Sequence, residues 1–230
     1  MISCQTHAMS ALTRQQISDR APDGWRLLLK QIQTTAKFET FTAAGEFVAR
    51  IGALADERDH HPDLAIRWPG HVEIVLTSHD VGAVTDRDLT MAEVVTDLAA
   101  ERGAVLDPSG CSIVEVALDV MDIDQVRPFW AALLGYVKEQ PGVADDTVRA
   151  IRDPHGLNAN MWFQQMDEPR TERNRFHLDV VVPHDEAQQR LDAALAAGGR
   201  LLSDERARAF WVLADPEGNE ACICTWQDRD

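Results

Sequence analysis

The chain has 230 residues, of which 45% are hydrophobic and 26% charged, and it carries a net charge of −16 at pH 7. That length suits one large domain or two of ~100–150 residues, and no apolar run approaches the ~20 residues a membrane span needs. The acid excess excludes binding to nucleic acid through a basic footprint.

The opening segment Met1–His7 lacks the basic and then apolar regions of a signal peptide, so a cytoplasmic location is expected, with residues 1–9 disordered. The four cysteines, Cys4, Cys111, Cys222 and Cys224, form no CxxC pair. Cys222 and Cys224 would share one face of a strand, which suits reduced packing thiols better than a zinc knuckle. Ile17, Trp25, Leu28 and Leu29 around the turn Pro22-Asp23-Gly24 predict a short helix running into a strand. Lys30 to Phe41, with Ile32, Phe38 and Phe41 spaced by polar residues, predicts a second strand. Thr42 is then expected to cap a helix in which Phe47, Val48, Ile51, Leu54 and Ala55 recur at helical spacing.

That helix runs into Asp56-Glu57-Arg58-Asp59-His60-His61-Pro62-Asp63, two adjacent imidazoles among four acids. Pro62 disfavours helical geometry for His61, so the pair stands where the helix ends. Histidine ordinarily titrates near neutrality, and two neighbours can supply an acid and a base without a metal or cofactor. The plainer reading is a solvated helix end. Leu64, Ile66 and Trp68 alternate before Pro69-Gly70, and Val72, Ile74 and Leu76 alternate after it, which predicts a hairpin ending at His79. Thr85-Asp86-Arg87-Asp88 has the capping-box pattern and opens a helix carrying Met91, Val94, Val95 and Leu98.

The order of Asp56, His60, His61, Pro62, Trp68, Ser78, His79, Gly82, Thr85 and Asp88 resembles the pterin-4a-carbinolamine dehydratase family, also called 4a-hydroxytetrahydrobiopterin dehydratase. Gly24-Trp25, Phe38, Phe41 and Phe47 extend the resemblance over about residues 10–102. Two departures are an extra residue between Trp68 and His79, expected in the turn, and Asp56 in place of the commoner Glu. The resemblance implies an antiparallel sheet packed with helices and dehydration of a 4a-hydroxytetrahydropterin to a quinonoid dihydropterin. It further implies His60, His61 and His79 as catalytic residues, Asp56 and Asp88 as supporting groups that orient them, and Trp68 and Ser78 as substrate contacts. No cofactor and a homo-oligomeric assembly are implied in the same way.

Glu101 to Cys111 contains Gly103, Pro108 and Gly110 without periodicity, which marks a boundary near residue 105. Beyond it the chain repeats at an offset of about sixty residues. Leu118-Asp119-Val120 recurs as Leu178-Asp179-Val180, Ala132–Gly135 as Ala194–Gly198, and Asp153-Pro154-His155-Gly156 as Asp215-Pro216-Glu217-Gly218. Strands and helices are expected at 114–120, 125–134 and 148–163, then at 176–182, 185–197 and 209–226. This paired β-α-β-β-β pattern, with Phe129-Trp130, Asn174–Asp179 and Asp215–Glu220, resembles the glyoxalase-like branch of the vicinal oxygen chelate superfamily over residues 111–228. In metal-using members the ligands come from the first and last strands of each module. The matching positions are Glu115, Gln164 (or Gln165), His177 and Glu220, an oxygen-rich set suited to Mn, Fe, Ni or Zn.

The sequence thus predicts an α+β protein of two domains, a dehydratase-like domain over 1–105 and a glyoxalase-like domain over 106–230. Small molecules, a pterin among them, are the expected ligands, with neither nucleic acid nor membrane as partner. The alternatives are a non-catalytic ligand-binding or protein-interaction role, and a metal-dependent enzyme working through the C-terminal half.

Overall fold

A computed structural model describes residues 10–139 and 149–228, and all structural statements below concern those residues. The expectations for residues 1–9, Cys4 and Val148 lie outside them. The chain forms two compact units that divide between Ile113 and Val114. The break therefore falls later than residue 105. Val105–Leu106 still pairs with the first sheet, and the Asp107 amide donates to Thr35 O at 2.8 Å.

In the first unit α1 (Arg14–Arg20) opens with a Thr13/Gln16 capping box. It leads into β1 (Arg26–Leu28), β2 (Gln31–Lys37), α2 (Phe41–Arg58), β3 (Asp63–Arg67), β4 (His71–Leu76), α3 (Asp86–Glu101) and β5 (Val105–Leu106). The strands lie in the order β1-β2-β4-β3, all antiparallel, with β5 added beside β2. Alternation explains the sheet: Ile32, Thr34 and Ala36 on β2 and Val72, Ile74 and Leu76 on β4 are fully buried, while their neighbours are partly or fully exposed. The two long helices cover that inner face with residues three and four apart, Phe47, Ile51 and Leu54 on α2 and Met91, Val95 and Leu98 on α3.

Helix α2 begins two residues before the expected cap. Thr40, not Thr42, is its N-cap, in extended backbone and accepting from the Ala43 amide at 3.1 Å. Phe41 is consequently the first helical residue rather than a strand residue, and it is 54% exposed. The register between β3 and β4 runs unbroken from Asp63↔Val75 to Arg67↔His71, so no added residue interrupts the paired part of the hairpin. The Gly70 carbonyl in the turn that follows accepts from the Phe38 amide at 2.9 Å, and a Cβ there would stand 2.6 Å from Phe38 O. Only glycine lets the turn lie this close to the chain after β2.

The second unit contains the β-α-β-β-β pattern twice. β6 (Glu115–Val120), α4 (Ile123–Leu134), β7 (Val137–Lys138), β8 (Ala150–Arg152) and β9 (Asn160–Gln165) make one module; β10 (Leu178–Val181), α5 (Ala187–Ala196), β11 (Arg200–Ser203), β12 (Phe210–Ala214) and β13 (Glu220–Cys224) make the other. Their strand orders, β6-β9-β8-β7 and β10-β13-β12-β11, are equivalent. In each, the first strand runs parallel to the last and the remaining neighbours are antiparallel. Val116, Leu118, Val120, Met161, Phe163, Ala221 and Ile223 face the core that α4 and α5 close with Phe129, Trp130, Leu133, Leu191 and Ala194. The alternate residues, among them Glu115, Asp119, Gln164, Asp179 and Cys222, therefore point to the face without helices.

The repeated Asp-Pro-x-Gly segments are two copies of one device. The Asp153 carboxylate accepts from the amides of His155, Leu157 and Asn158 and from the Asn158 side chain at 2.9–3.0 Å. Asp215 likewise accepts from the Glu217 and Asn219 amides and the Asn219 side chain, and adds Trp130 Nε1 at 3.0 Å. Burial pushes the Asp153 carboxyl up, but the bonds from His155, Asn158 and Leu157 outweigh it and hold it below its ordinary value. A carboxylate depressed in the folded state contributes stability that is present above its unfolded pKa and disappears as pH falls through the folded one. The Asp153→Ala variant is expected to be less stable than the parent by about 1–2 kcal/mol at neutral pH. Urea titrations should show that gap narrowing below about pH 4. A gap independent of pH would mean that the carboxylate charge plays no part.

Candidate active site

Helix α2 ends with Asp59 in the left-handed conformation (φ 49°), and the His60 amide closes the helix by donating to Ala55 O at 3.1 Å. This wrap turns His60 inward and leaves His61 outward. His60 is only 6% exposed, whereas the His61 side chain is 57% exposed.

Each imidazole has its own carboxylate. His60 Nε2 lies 2.8 Å from Asp88 Oδ1, and His61 Nε2 lies 2.9 Å from Asp56 Oδ1, on the last turn of α2. Asp88 is fully buried and serves two tasks at once. As the third residue of α3 its Oδ2 accepts from the Thr85 amide at 2.7 Å, completing a capping box, and from Ser78 Oγ at 2.7 Å. Ser78 spends its only proton on Asp88, so its 2.8 Å bond to Thr85 Oγ1 is one it accepts. With these donors turned toward it, Asp88 is an acceptor, and its bond to His60 keeps the imidazole proton on Nε2.

The same helix end grips the residues on both sides of His79. Ser78 is bound to Asp88, and Arg87 Nη2 donates to Asp80 Oδ1 at 2.5 Å, which holds the Asp80 carboxyl below its ordinary range. The turn from Ser78 to Ala83 is shut by the Ser78 amide on Ala83 O at 3.1 Å and by Val81 and Gly82 amides on Ser78 O. His79 stands exposed on this turn, past the end of β4 at Leu76 rather than in the strand as expected. Asp63, two residues after His61, pairs with Val75, four before His79, so both histidines belong to one end of the β3–β4 hairpin.

The two expected substrate contacts fare differently from the histidines. Ser78 is fully buried and its hydroxyl is committed to Asp88 and Thr85, so it positions its neighbour and offers no group to a ligand. Trp68 is 86% exposed in the turn at the other end of the hairpin. At ~3.3 Å per strand residue it stands about 16 Å along the hairpin from Asp63, and one copy of the chain does not bring it to the histidines. Thr85 and Arg87 are the contributors that sequence reasoning left out of the site, although the capping-box spacing pointed to the first.

In the second unit Glu115, His177 and Glu220, three of the four expected metal ligands, do not form a converging group among the described residues. Glu220 accepts a two-pronged contact from Arg173 at 2.8 and 2.5 Å, which uses both carboxylate oxygens. Glu115 and Gln164 lie on the first module's sheet, and neither lines the narrow cleft of about 20 Å³ that His177 and Glu220 help to form beside Val116, Trp130 and Phe176. That volume holds about one water. Among the described residues the His, Cys, Asp and Glu side chains that do converge in a metal-like group are His177, Asp179 and Cys222.

Comparison with known proteins follows the division into units. A family model described as pterin 4 alpha carbinolamine dehydratase matches residues 8–98, and one described as a glyoxalase-like domain matches residues 115–224. The chain is 38% identical over 82 residues to a Haloarcula marismortui protein named "Putative pterin-4-alpha-carbinolamine dehydratase", covering 36% of this chain and 88% of that one. A Mycolicibacterium smegmatis protein of the same name is 33% identical over 95 residues, 40% of this chain and 100% of its own. Among solved structures, a transcriptional coactivator/pterin dehydratase from Brucella melitensis is 30% identical, covering 39% of this chain and 99% of that one, with a TM-score of 0.37. A glyoxalase/bleomycin resistance protein/dioxygenase family enzyme from Burkholderia phytofirmans is 18% identical, covering 50% and 98%, with a TM-score of 0.41.

Proposed function

Because the chain belongs to the pterin 4 alpha carbinolamine dehydratase family through residues 8–98 and carries a glyoxalase-like domain over residues 115–224, we propose that it dehydrates a 4a-hydroxytetrahydropterin. The C4a–O bond breaks, the departing hydroxyl takes a proton and leaves as water, and a ring N–H gives up its proton as the C=N bond of the quinonoid dihydropterin forms. Proton donation and proton removal are each worth ~10²–10⁴-fold when a side chain is held in place for them. His61 and His79, both exposed, are assigned these two transfers. His60, buried on Asp88, aligns the end of α2 with the turn that carries His79.

The observation that carries this reading is the shared anchorage: the capping box of α3 holds His60 and, through Ser78, the residue beside His79. An isolated helix cap needs no such link to a second histidine. The test is a rate measurement on the full chain with 4a-hydroxytetrahydropterin made in situ. Acceleration over the spontaneous loss of water is the expected result, and a rate equal to the spontaneous one would reduce this unit to a binding or interaction role. The glyoxalase-like unit is assigned a small-molecule or ion ligand, without a reaction.

A further inference from the structure

We propose that His177, Asp179 and Cys222 form a divalent-cation site, suited to zinc or cobalt, on the helix-free face of the β10–β13 sheet. Parallel pairing sets Asp179 directly beside Cys222, and His177 precedes Asp179 by two residues, the strand period that returns a side chain to the same face. The donor atoms of all three lie within 4.8 Å of one another, and His177 Nε2 stands 3.3 Å from Asp179 Oδ1. Two donors each ~2.0–2.2 Å from a tetrahedral ion are separated by about this distance. His177 and Asp179 are therefore already spaced as ligands, and the thiol has at most about 1 Å to travel by rotation of its side chain.

The chemistry of the set decides the metal. One nitrogen, one oxygen and one sulfur exclude the oxygen-seeking magnesium and calcium and favour borderline ions with tetrahedral preference. The His177 and Asp179 side chains are about half exposed (46% and 58%), which gives an ion a way in, while Cys222 is nearly buried and forms the floor. Glu220, two residues before Cys222 and on its face, would be the natural fourth ligand, but Arg173 holds it. Three protein ligands and one place for water result, the composition of an open rather than a closed centre. The site differs from the expected set of Glu115, Gln164, His177 and Glu220 in drawing all its donors from one module.

Titration of the metal-free full chain with Co²⁺ is the test, because a cobalt–thiolate bond gives a charge-transfer band in the near ultraviolet. The expected result is a band that saturates at one equivalent, is bleached by Zn²⁺, is lost in Cys222→Ser and is kept in Cys224→Ser. His177→Ala, at an exposed position that leaves the core alone, should weaken cobalt binding more than about 10-fold, since even partners behind the ligands cost 10–100-fold. If Cys222→Ser does not fold, His177→Ala and Asp179→Asn decide the matter alone. No band at stoichiometric Co²⁺, or binding unchanged in His177→Ala and Asp179→Asn, would overturn the site and leave a surface ion pair above a packing thiol.

Discussion

Alanine at His61 or at His79 is expected to slow dehydration by ~10²–10⁴-fold, the worth of one positioned acid or base. Both side chains are exposed, so neither contributes core packing, and stability should stay within about 0.5 kcal/mol of the parent, as for other surface substitutions. The loss should appear in kcat and in kcat/KM alike if the imidazoles act on the transition state, whereas a loss in KM alone would make them binding groups. Asp56→Asn offers a finer probe. It removes the negative charge 2.9 Å from the His61 ring and keeps an acceptor there, so a smaller fall in rate is expected. Full turnover in both histidine variants would leave them as a helix end and a turn residue.

The second large effect is on stability. Asp88→Ala strips partners from the Thr85 amide, from Ser78 Oγ and from His60 Nε2, all in buried surroundings. A lost N-terminal cap costs ~0.5–2 kcal/mol and each buried group left without a partner ~1–3 kcal/mol. Partial relaxation keeps the sum from being fully additive, and a loss of about 3–5 kcal/mol in urea unfolding is expected. Asp88→Asn separates the two tasks. Its carbonyl can still accept from Thr85 and Ser78, but its amide is then a donor aimed at His60, so activity should fall by more than stability does. If Asp88→Ala unfolds at the parent's urea midpoint, the network described here does not hold the unit together.

What the sequence made legible was the local and the periodic. The alternation of Val72, Ile74 and Leu76, the helical spacing on α2 and α3, the Thr85–Asp88 box and the sixty-residue repeat each reflect one element's own geometry, and each reappears in the fold. The candidate histidines were legible because two adjacent imidazoles among acids at a helix end form a local pattern. What was not legible depends on partners far along the chain. Ser78 looks like an available hydroxyl until α3 folds over it. Trp68 continues the alternation of β3 on paper, yet Pro69 and Gly70 already make it part of the turn. Glu220 reads as a ligand until Arg173, in an irregular segment with no period to betray it, meets both its oxygens. Asp179 and Cys222 become neighbours only through a parallel register that no local pattern encodes.

That parallel register also sets an order of events during folding. β12 and β13 join through a tight turn, Ala214 opposite Glu220, and can zip together early. β10 reaches β13 only after a loop of some forty residues has closed, an entropic cost met late because few contacts reward it beforehand. A group that bridges β10 and β13 is expected to bind only once the two strands have paired. It would slow the departure of β10 from the sheet far more than it would hasten its arrival, and so act as a latch on the native state rather than as a seed for it.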